Sequence, residues 1–186
     1  MNLATNIIMT FWGLSEIFLL LKMKSGKNDA KGKDKKTLSL LWLVIGFSIF
    51  FGIFTAQSSS FPIYNSEIIQ IFGLILLLLS VLFRLLVVYR LGKYFTVDVT
   101  IRNDHKLITD GFYTYIRHPS YTFSLLTFVA LAIVLNNYIS AVILLLPVFI
   151  MFFYRISIEE KTLTEQFGQE YLDYRKKTKK LIPFIY

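Results

Sequence analysis

Two stretches of this chain carry side chains whose types and spacing suit chemistry. One is the block Arg117-His118-Pro119-Ser120-Tyr121, preceded by Asp104-His105-Lys106-Leu107 and Gly111-Phe112-Tyr113. The other is Arg155-Ile156-Ser157-Ile158-Glu159-Glu160. Pro119 biases His118 toward extended backbone and suits the first turn of a following helix. Arg117 and His118 therefore fall where a polar segment enters a helix, whose unsatisfied amides favour an anionic group. Tyr113, Tyr115 and Tyr121 crowd the same place, and aromatic faces hold sulfonium or ammonium cations. An aromatic belt with an arginine anchor at the headgroup level uses the same residues, and composition alone does not separate the two. Arg155 and Glu159 stand four apart, the spacing of an ordinary surface ion pair. The adjacent carboxylates Glu159 and Glu160 also suit a cationic or multi-hydroxyl ligand.

The elements that must position these groups are set by an excess of apolar residues. Of 186 residues, 55% are hydrophobic and 17% charged, against about 45–50% and about 25% in soluble domains; mean hydropathy is +0.57. A chain this short cannot bury that excess in one soluble core. A membrane-spanning helix needs about 20 mostly apolar residues, and five runs approach this: 3–21, 38–56, 68–89, 119–135 and 138–158. The first lacks the charged leader and small-residue cleavage site of a signal peptide, and reads as a span. Only Asn136-Asn137 separates the last two, which predicts a tight antiparallel helical hairpin. The expected fold is thus an all-α integral membrane protein in a single domain, 1–186. Residues 1–90 hold three spans and a basic loop; 91–186 hold the chemistry. With no Cys, disulfides, zinc ribbons, iron–sulfur clusters and thiol nucleophiles are excluded, and no metal site is expected.

Charge supports this layout. Nineteen of the twenty Lys and Arg residues fall in segments 22–37, 90–118 and 155–186, which alternating spans place on one side; the last, Arg84, lies toward the same end of its helix. The opposite connections, 57–67 and 136–137, carry none. By the positive-inside rule the amino terminus is outside and the carboxyl terminus cytoplasmic. The net charge of +8 then reads as topology and attraction to anionic headgroups, not to nucleic acid. Segment 22–37 has the composition of a flexible solvated loop. Two ionisable groups lie within spans: Glu16, expected to face a Ser or Asn of another helix, and Arg84, expected to snorkel as an interfacial anchor. Beyond the last span, 161–179 reads as one amphipathic helix with Leu163, Phe167, Tyr171 and Tyr174 on one face, lying on the membrane surface.

Together these residues resemble the isoprenylcysteine carboxyl methyltransferase family of integral membrane enzymes. The resemblance runs from Leu91-Gly92-Lys93-Tyr94-Phe95 through His105-Lys106-Leu107, Gly111-Phe112-Tyr113 and Arg117-His118-Pro119-Ser120-Tyr121. It resumes at Arg155, Glu159-Glu160, Leu163, Phe167-Gly168, Glu170-Tyr171 and Leu181-Ile182-Pro183. It implies a methyltransferase that uses S-adenosylmethionine, bound in a cytoplasmic pocket made by the last two spans and their flanks. Carried over by position, His105, Leu107, Gly111, Tyr113, Arg117, His118, Pro119, Tyr121, Glu159 and Glu160 line the cofactor. Arg117, Arg155 and Glu160 are the expected catalytic residues, the arginines suiting a carboxylate by bidentate pairing.

The implied acceptor is lipophilic, a prenylated or small molecule entering from the bilayer; the motifs specify the methyl donor better than the acceptor. Related enzymes methylate phospholipid amines or small thiols. Membrane sterol reductases, which use a nicotinamide cofactor, have a broadly similar carboxyl-terminal helical region. A scaffold or transporter subunit would place polar residues at mid-membrane, and the second, fourth and fifth spans offer almost none. The expected location is the cell membrane of a prokaryote or the endoplasmic reticulum of a eukaryote.

Overall fold

The computed structural model describes residues 3–23, 35–97 and 106–186. Six α-helices run α1 Leu3–Lys22, α2 Lys35–Ser58, α3 Glu67–Leu91, α4 Pro119–Leu135, α5 Tyr138–Phe167 and α6 Gln169–Lys177, with short 3₁₀ turns at Gly92–Tyr94 and Gly111–Thr114. Four of them, α1, α2, α3 and α5, are long and apolar enough to cross a membrane. Within a bilayer each backbone group needs a partner in the chain, which the helix supplies. Hydroxyls follow the same rule: Ser80, Ser124 and Thr127 donate to carbonyls four residues earlier.

The fourth expected span differs from its neighbours. α4 has 17 residues, about 25 Å of helix, and ten of its side chains are buried. It is apolar all round because it is the central helix of the bundle, enclosed by protein. α3 packs along it closely enough that a Cβ on Gly73 would stand 2.7 Å from Ile133 Cγ2. α2 packs along α5, with Gly52 against Leu144. Trp12 of α1 meets Phe128 edge to face at 5.2 Å.

Asn136 and Asn137 join α4 to α5 and hold one end of the bundle. Asn136 takes the left-handed conformation (φ 48°). Its Oδ1 accepts from the amides of Ile63 and Tyr64, and its Nδ2 donates to Tyr64 O. Asn137 caps α5 by accepting from Ser140 N, and donates to Ser59 O. The pair thereby satisfies a loop that carries no charge of its own.

Three expectations are corrected. Glu16 faces neither Ser nor Asn, and Arg84 does not snorkel: the two pair across α1 and α3, Nε to Oε1 at 2.6 Å and Nη2 to Oε2 at 2.8 Å, with Nη1 3.4 Å from Ser120 O. An inward guanidinium needs a carboxylate when water is excluded, and each charge supplies the other's partner. Arg155 does not lie on a surface beside Glu159; it turns into the bundle, only 1% exposed. The expected helix over 161–179 is not one helix. α5 continues unbroken to Phe167, the chain turns at Gly168 (φ 52°), and α6 folds back as a separate short element. A positive φ is open to Gly at no steric cost, so the turn falls there. Tyr171 and Tyr174 are buried against the protein.

Replacing Gly73 by Val forces apart α3 and α4. Overpacking at such a site is expected to cost about 1–3 kcal/mol, visible as a lowered thermal midpoint of the detergent-solubilised protein.

Candidate active site

The site is built where the charged ends of the helices meet. After α4's start is fixed by Pro119, the carboxyl-terminal tail returns and pairs with the segment just before it. Arg117 N donates to Lys179 O at 2.8 Å, His118 N to Lys180 O at 3.2 Å, and Lys179 N to Tyr115 O at 3.0 Å. Thr122 Oγ1 donates to Leu181 O at 2.8 Å. These bonds fix the backbone that carries the Arg-His-Pro block.

A buried carboxylate then gathers the side chains. Glu160 Oε1 accepts from Arg117 Nε at 2.9 Å and lies 3.3 Å from His118 Nε2. Lys180 Nζ and Arg175 Nη2 stand 3.9 and 4.0 Å from its Oε2. Arg117 also donates through Nη1 to Thr178 O at 2.6 Å and Arg175 O at 3.2 Å. The Arg117 guanidinium thus brackets α4, α5 and the end of α6 together, and Glu160 sits behind the site wall.

In front of this clasp opens a cleft with about 860 Å³ of atom-free space, its open mouth included. Leu107, Tyr113, Arg117, His118, Tyr121, Arg155 and Glu159 line it, as the sequence leads one to expect. Gly111, Pro119 and Glu160 are not among its lining. Gly111 (φ 59°) starts the 3₁₀ turn that presents Tyr113, and Pro119 starts α4. His105 lies outside the described residues, as do Asp104 and most of the β-branched run from Val97 to Ile101. Glu159, with its side chain 30% exposed, is the carboxylate that faces the cleft; its Oε1 is 4.0 Å from His118 Nδ1.

Several further lining residues were given no role in the site by the sequence, although Leu91, Tyr94, Phe95, Leu163 and Tyr171 belong to the segments that carry the resemblance. Tyr171 and Tyr174 close one side, Leu91, Tyr94, Phe95 and Thr96 another, and Thr162 and Leu163 extend the α5 wall. The signal for the tyrosines was their position on the apolar stripe of 161–179, which packs on protein rather than lipid. Tyr174 Oη donates to Tyr113 O at 2.7 Å. The Tyr171 hydroxyl is buried with no hydrogen-bond partner among the described residues, a costly arrangement that a polar ligand group would relieve. Burial pushes the hydroxyls of Tyr113, Tyr171 and Tyr174 far above their ordinary value, so they remain protonated donors at neutral pH.

A second cleft adjoins the first and shares Phe95, Thr96, Tyr121 and Arg155 with it. It reaches into the bundle between α1, α2, α4 and α5, lined by Trp12, Leu41, Ile45, Phe128 and Phe152 beside the Glu16–Arg84 pair. Arg155 stands at the junction, its Nε donating to Tyr121 Oη at 3.1 Å and its Nη2 to Val97 O. The arrangement juxtaposes a polar, tyrosine-walled cleft at the charged end with an apolar chamber inside the helices, a guanidinium between them.

Residues 73–165 match the family model described as the isoprenylcysteine carboxyl methyltransferase (ICMT) family. The chain is similar to protein-S-isoprenylcysteine O-methyltransferase B of Arabidopsis thaliana, 35% identical over 61% of this chain and 59% of the relative. It is also similar to the Saccharomyces cerevisiae protein-S-isoprenylcysteine O-methyltransferase, 32% identical over 64% of this chain and 51% of the relative. It therefore spans little more than half the length of these relatives. Among solved structures, the eukaryotic intramembrane Ras methyltransferase ICMT superposes with a TM-score of 0.58 at 21% identity, covering 100% of this chain and 88% of that one; the likeness is one of fold.

The raised tyrosines give α6 docking a defined pH dependence. Their folded pKa lies above the ordinary 10.0, so the contribution is complete below that value and is lost as pH rises past it. Protection of the α6 amides, measured relative to their intrinsic exchange rate at each pH, is expected to fall above about pH 10. Tyr174→Phe, which deletes the bond to Tyr113 O, is expected to weaken docking by about 1 kcal/mol at neutral pH and to reduce that alkaline loss.

Proposed function

The chain belongs to the isoprenylcysteine carboxyl methyltransferase family, and from that premise we propose that it is a membrane methyltransferase transferring a methyl group from S-adenosylmethionine to a carboxylate on a lipophilic acceptor. The observation that carries this reading is that two adjoining clefts share Arg155 and Tyr121 in their walls. The first is lined by tyrosines, His118 and Glu159; the second runs from the Glu16–Arg84 pair to Trp12, Phe128 and Phe152.

The lining suits the donor. Glu159 offers a carboxylate to an ammonium or to ribose hydroxyls, the faces of Tyr113 and Tyr121 suit a sulfonium, and the buried Tyr171 hydroxyl lacks a partner that a ligand can supply. When bound, S-adenosylmethionine supplies a methyl group already activated on sulfur, so no covalent enzyme nucleophile is needed. The work left to the chain is positioning and exclusion of water. Arg155, braced by Tyr121 and Val97 O, orients the acceptor carboxylate by a charge-assisted bond. Stripping water from that carboxylate raises its reactivity toward the methyl carbon. Arg117, in the cleft wall, acts as a bracket, and Glu160, behind it, is the carboxylate that holds Arg117 and His118 in place.

In this reading α4 completes five spans, short because it crosses within protein, and forms a hairpin with α5. The whole chain is one membrane domain whose carboxyl terminus is cytoplasmic, with α6 lying at that face. The basic residues that the described segments hold at the cleft end, Arg117, Arg175 and Lys180 among them, support this orientation, as does the absence of Lys and Arg from segments 57–67 and 136–137.

Calorimetric titration of the purified protein tests the donor. S-adenosylmethionine is expected to bind and reduced nicotinamide dinucleotide not to; the reverse refutes the proposal. Glu159→Ala is expected to weaken donor binding at least about tenfold, the loss of roughly one charge-assisted bond. Arg155→Ala is expected to lower transfer of labelled methyl into organic extract by far more than it weakens donor binding, as fits a residue that orients the acceptor from the wall the two clefts share.

A further inference from the structure

The segment beyond α6 carries apolar side chains that the bundle does not cover. Leu181 is buried in the core, but Phe184 and Ile185 are 82% and 74% exposed, and Ile182, Tyr186 and the neighbouring Tyr115 are exposed as well. A cluster of large apolar side chains bared outside the spanning helices marks a contact. Position and charge identify it. The Tyr186 ring stands 6.1 Å from Phe153, and the Phe184 ring 6.2 Å from Tyr115. Phe153 belongs to the apolar run 138–158, seven residues before Glu160, so the segment folds back about 10 Å from the level of Glu160 toward the spans. On the topology proposed above, that is the boundary between headgroups and acyl chains. Residues 174–186 hold Arg175, Lys176, Lys177, Lys179 and Lys180 and no Asp or Glu. Lys176, Lys177 and Lys179 are exposed; Lys180 is held inward, its Nζ 5.3 Å from the centre of the Tyr186 ring and 3.9 Å from Glu160 Oε2. Exposed cations beside a bared apolar cluster complement an anionic lipid surface. Phe184 also takes a positive φ of 66°, which a bulky side chain rarely adopts, and the turn leaves its ring outside the bundle.

We propose that 182–186 is an interfacial wedge whose partner is anionic phospholipid of the leaflet at the charged end, and that its seating there holds the cleft in its assembled form. The coupling runs through the chain itself. Residues 178–181, just before the wedge, supply the carbonyls on which the site wall hangs: Thr178 O accepts from Arg117 Nη1, Lys179 O from Arg117 N, Lys180 O from His118 N and Leu181 O from Thr122 Oγ1. A wedge out of the bilayer loosens that strand, and with it Arg117 and His118. The lipid contact and its hold on residues 115–118 stand without the methyltransferase reading; the consequence for donor binding rests on it.

The chain has no Cys, so Ile185→Cys gives a single attachment point for a polarity-sensitive fluorophore. In nanodiscs of phosphatidylcholine with about a third phosphatidylglycerol, the label is expected to shift to the blue and to be quenched by nitroxide-labelled phospholipid. Emission as in water overturns the proposal, and so does a shielded label that lipid does not quench, the result expected if a protein or a second copy covers the segment. The second arm reads the site without turnover. Protection of the Arg117 and His118 amides against exchange, and affinity for S-adenosylmethionine by calorimetry, are each expected to be about threefold to tenfold higher in the anionic discs than in neutral phosphatidylcholine, the gain shrinking as salt rises. Phe184→Ser with Ile185→Ser, and separately Lys177→Gln with Lys179→Gln, are expected to bring the anionic-to-neutral ratio toward one. Taken within one preparation, that ratio does not depend on how much of a variant folds. Equal protection in the two lipids, or a gain that both variants keep, overturns the proposal. Protection that follows the lipid while no donor binds in either disc supports the wedge and refutes the methyltransferase reading alone.

Discussion

One buried carboxylate organises the functional end of this molecule. Glu160, at the far end of the longest helix, accepts from Arg117 and stands against His118, with Lys180 and Arg175 within 4.0 Å. Its partners come from three separate stretches: the residues just before α4, the end of α6 and the returning tail. An unpaired carboxylate in that position would be expensive, and so would an unpaired Arg117. The charges therefore hold one another, and the backbone segments that carry them are held with them. The cleft exists because those segments cannot separate without exposing the pair.

The same logic runs through the bundle at greater depth. Glu16 and Arg84 are each affordable only because the other is there, and their pairing ties α1 to α3 with a bond to the start of α4. The Asn136–Asn137 junction does the corresponding task at the uncharged end with amides alone, matching the backbone donors and acceptors of 59–64 one by one. Charged networks at one end and neutral amides at the other are what a bilayer crossing demands of a small chain. The site lies at the charged end because that is where polar side chains can be both dense and satisfied.

The division between the two clefts follows from this placement. At the charged end, tyrosines and Glu159 line one cleft; further into the bundle the second is lined mostly by aromatic and aliphatic side chains, with Ser124 among them. Arg155 lies on the boundary, buried and supported by Tyr121 and a backbone carbonyl.

Local features were legible in the sequence because local physics makes them. Apolar run length marked α1, α2, α3 and α5; the dipeptide Asn136-Asn137 marked the turn; Pro119 marked the start of α4; the one-sided charges marked which helix ends share a face. The family resemblance pointed to seven residues that stand in the cleft wall. Other features needed distant segments to meet. Nothing near Glu160 in the chain says that it turns behind the wall while Glu159 faces forward, since that depends on where Arg117 and the tail arrive. The partnership of Glu16 with Arg84 spans 68 positions, and the pairing of the tail with 115–118 about as many. The break at Gly168, which turns an expected surface helix into a wall of the cleft, is decided by what Tyr171 and Tyr174 can pack against. Periodicity reports that a face is apolar; only the folded chain decides whether lipid, protein or a ligand covers it.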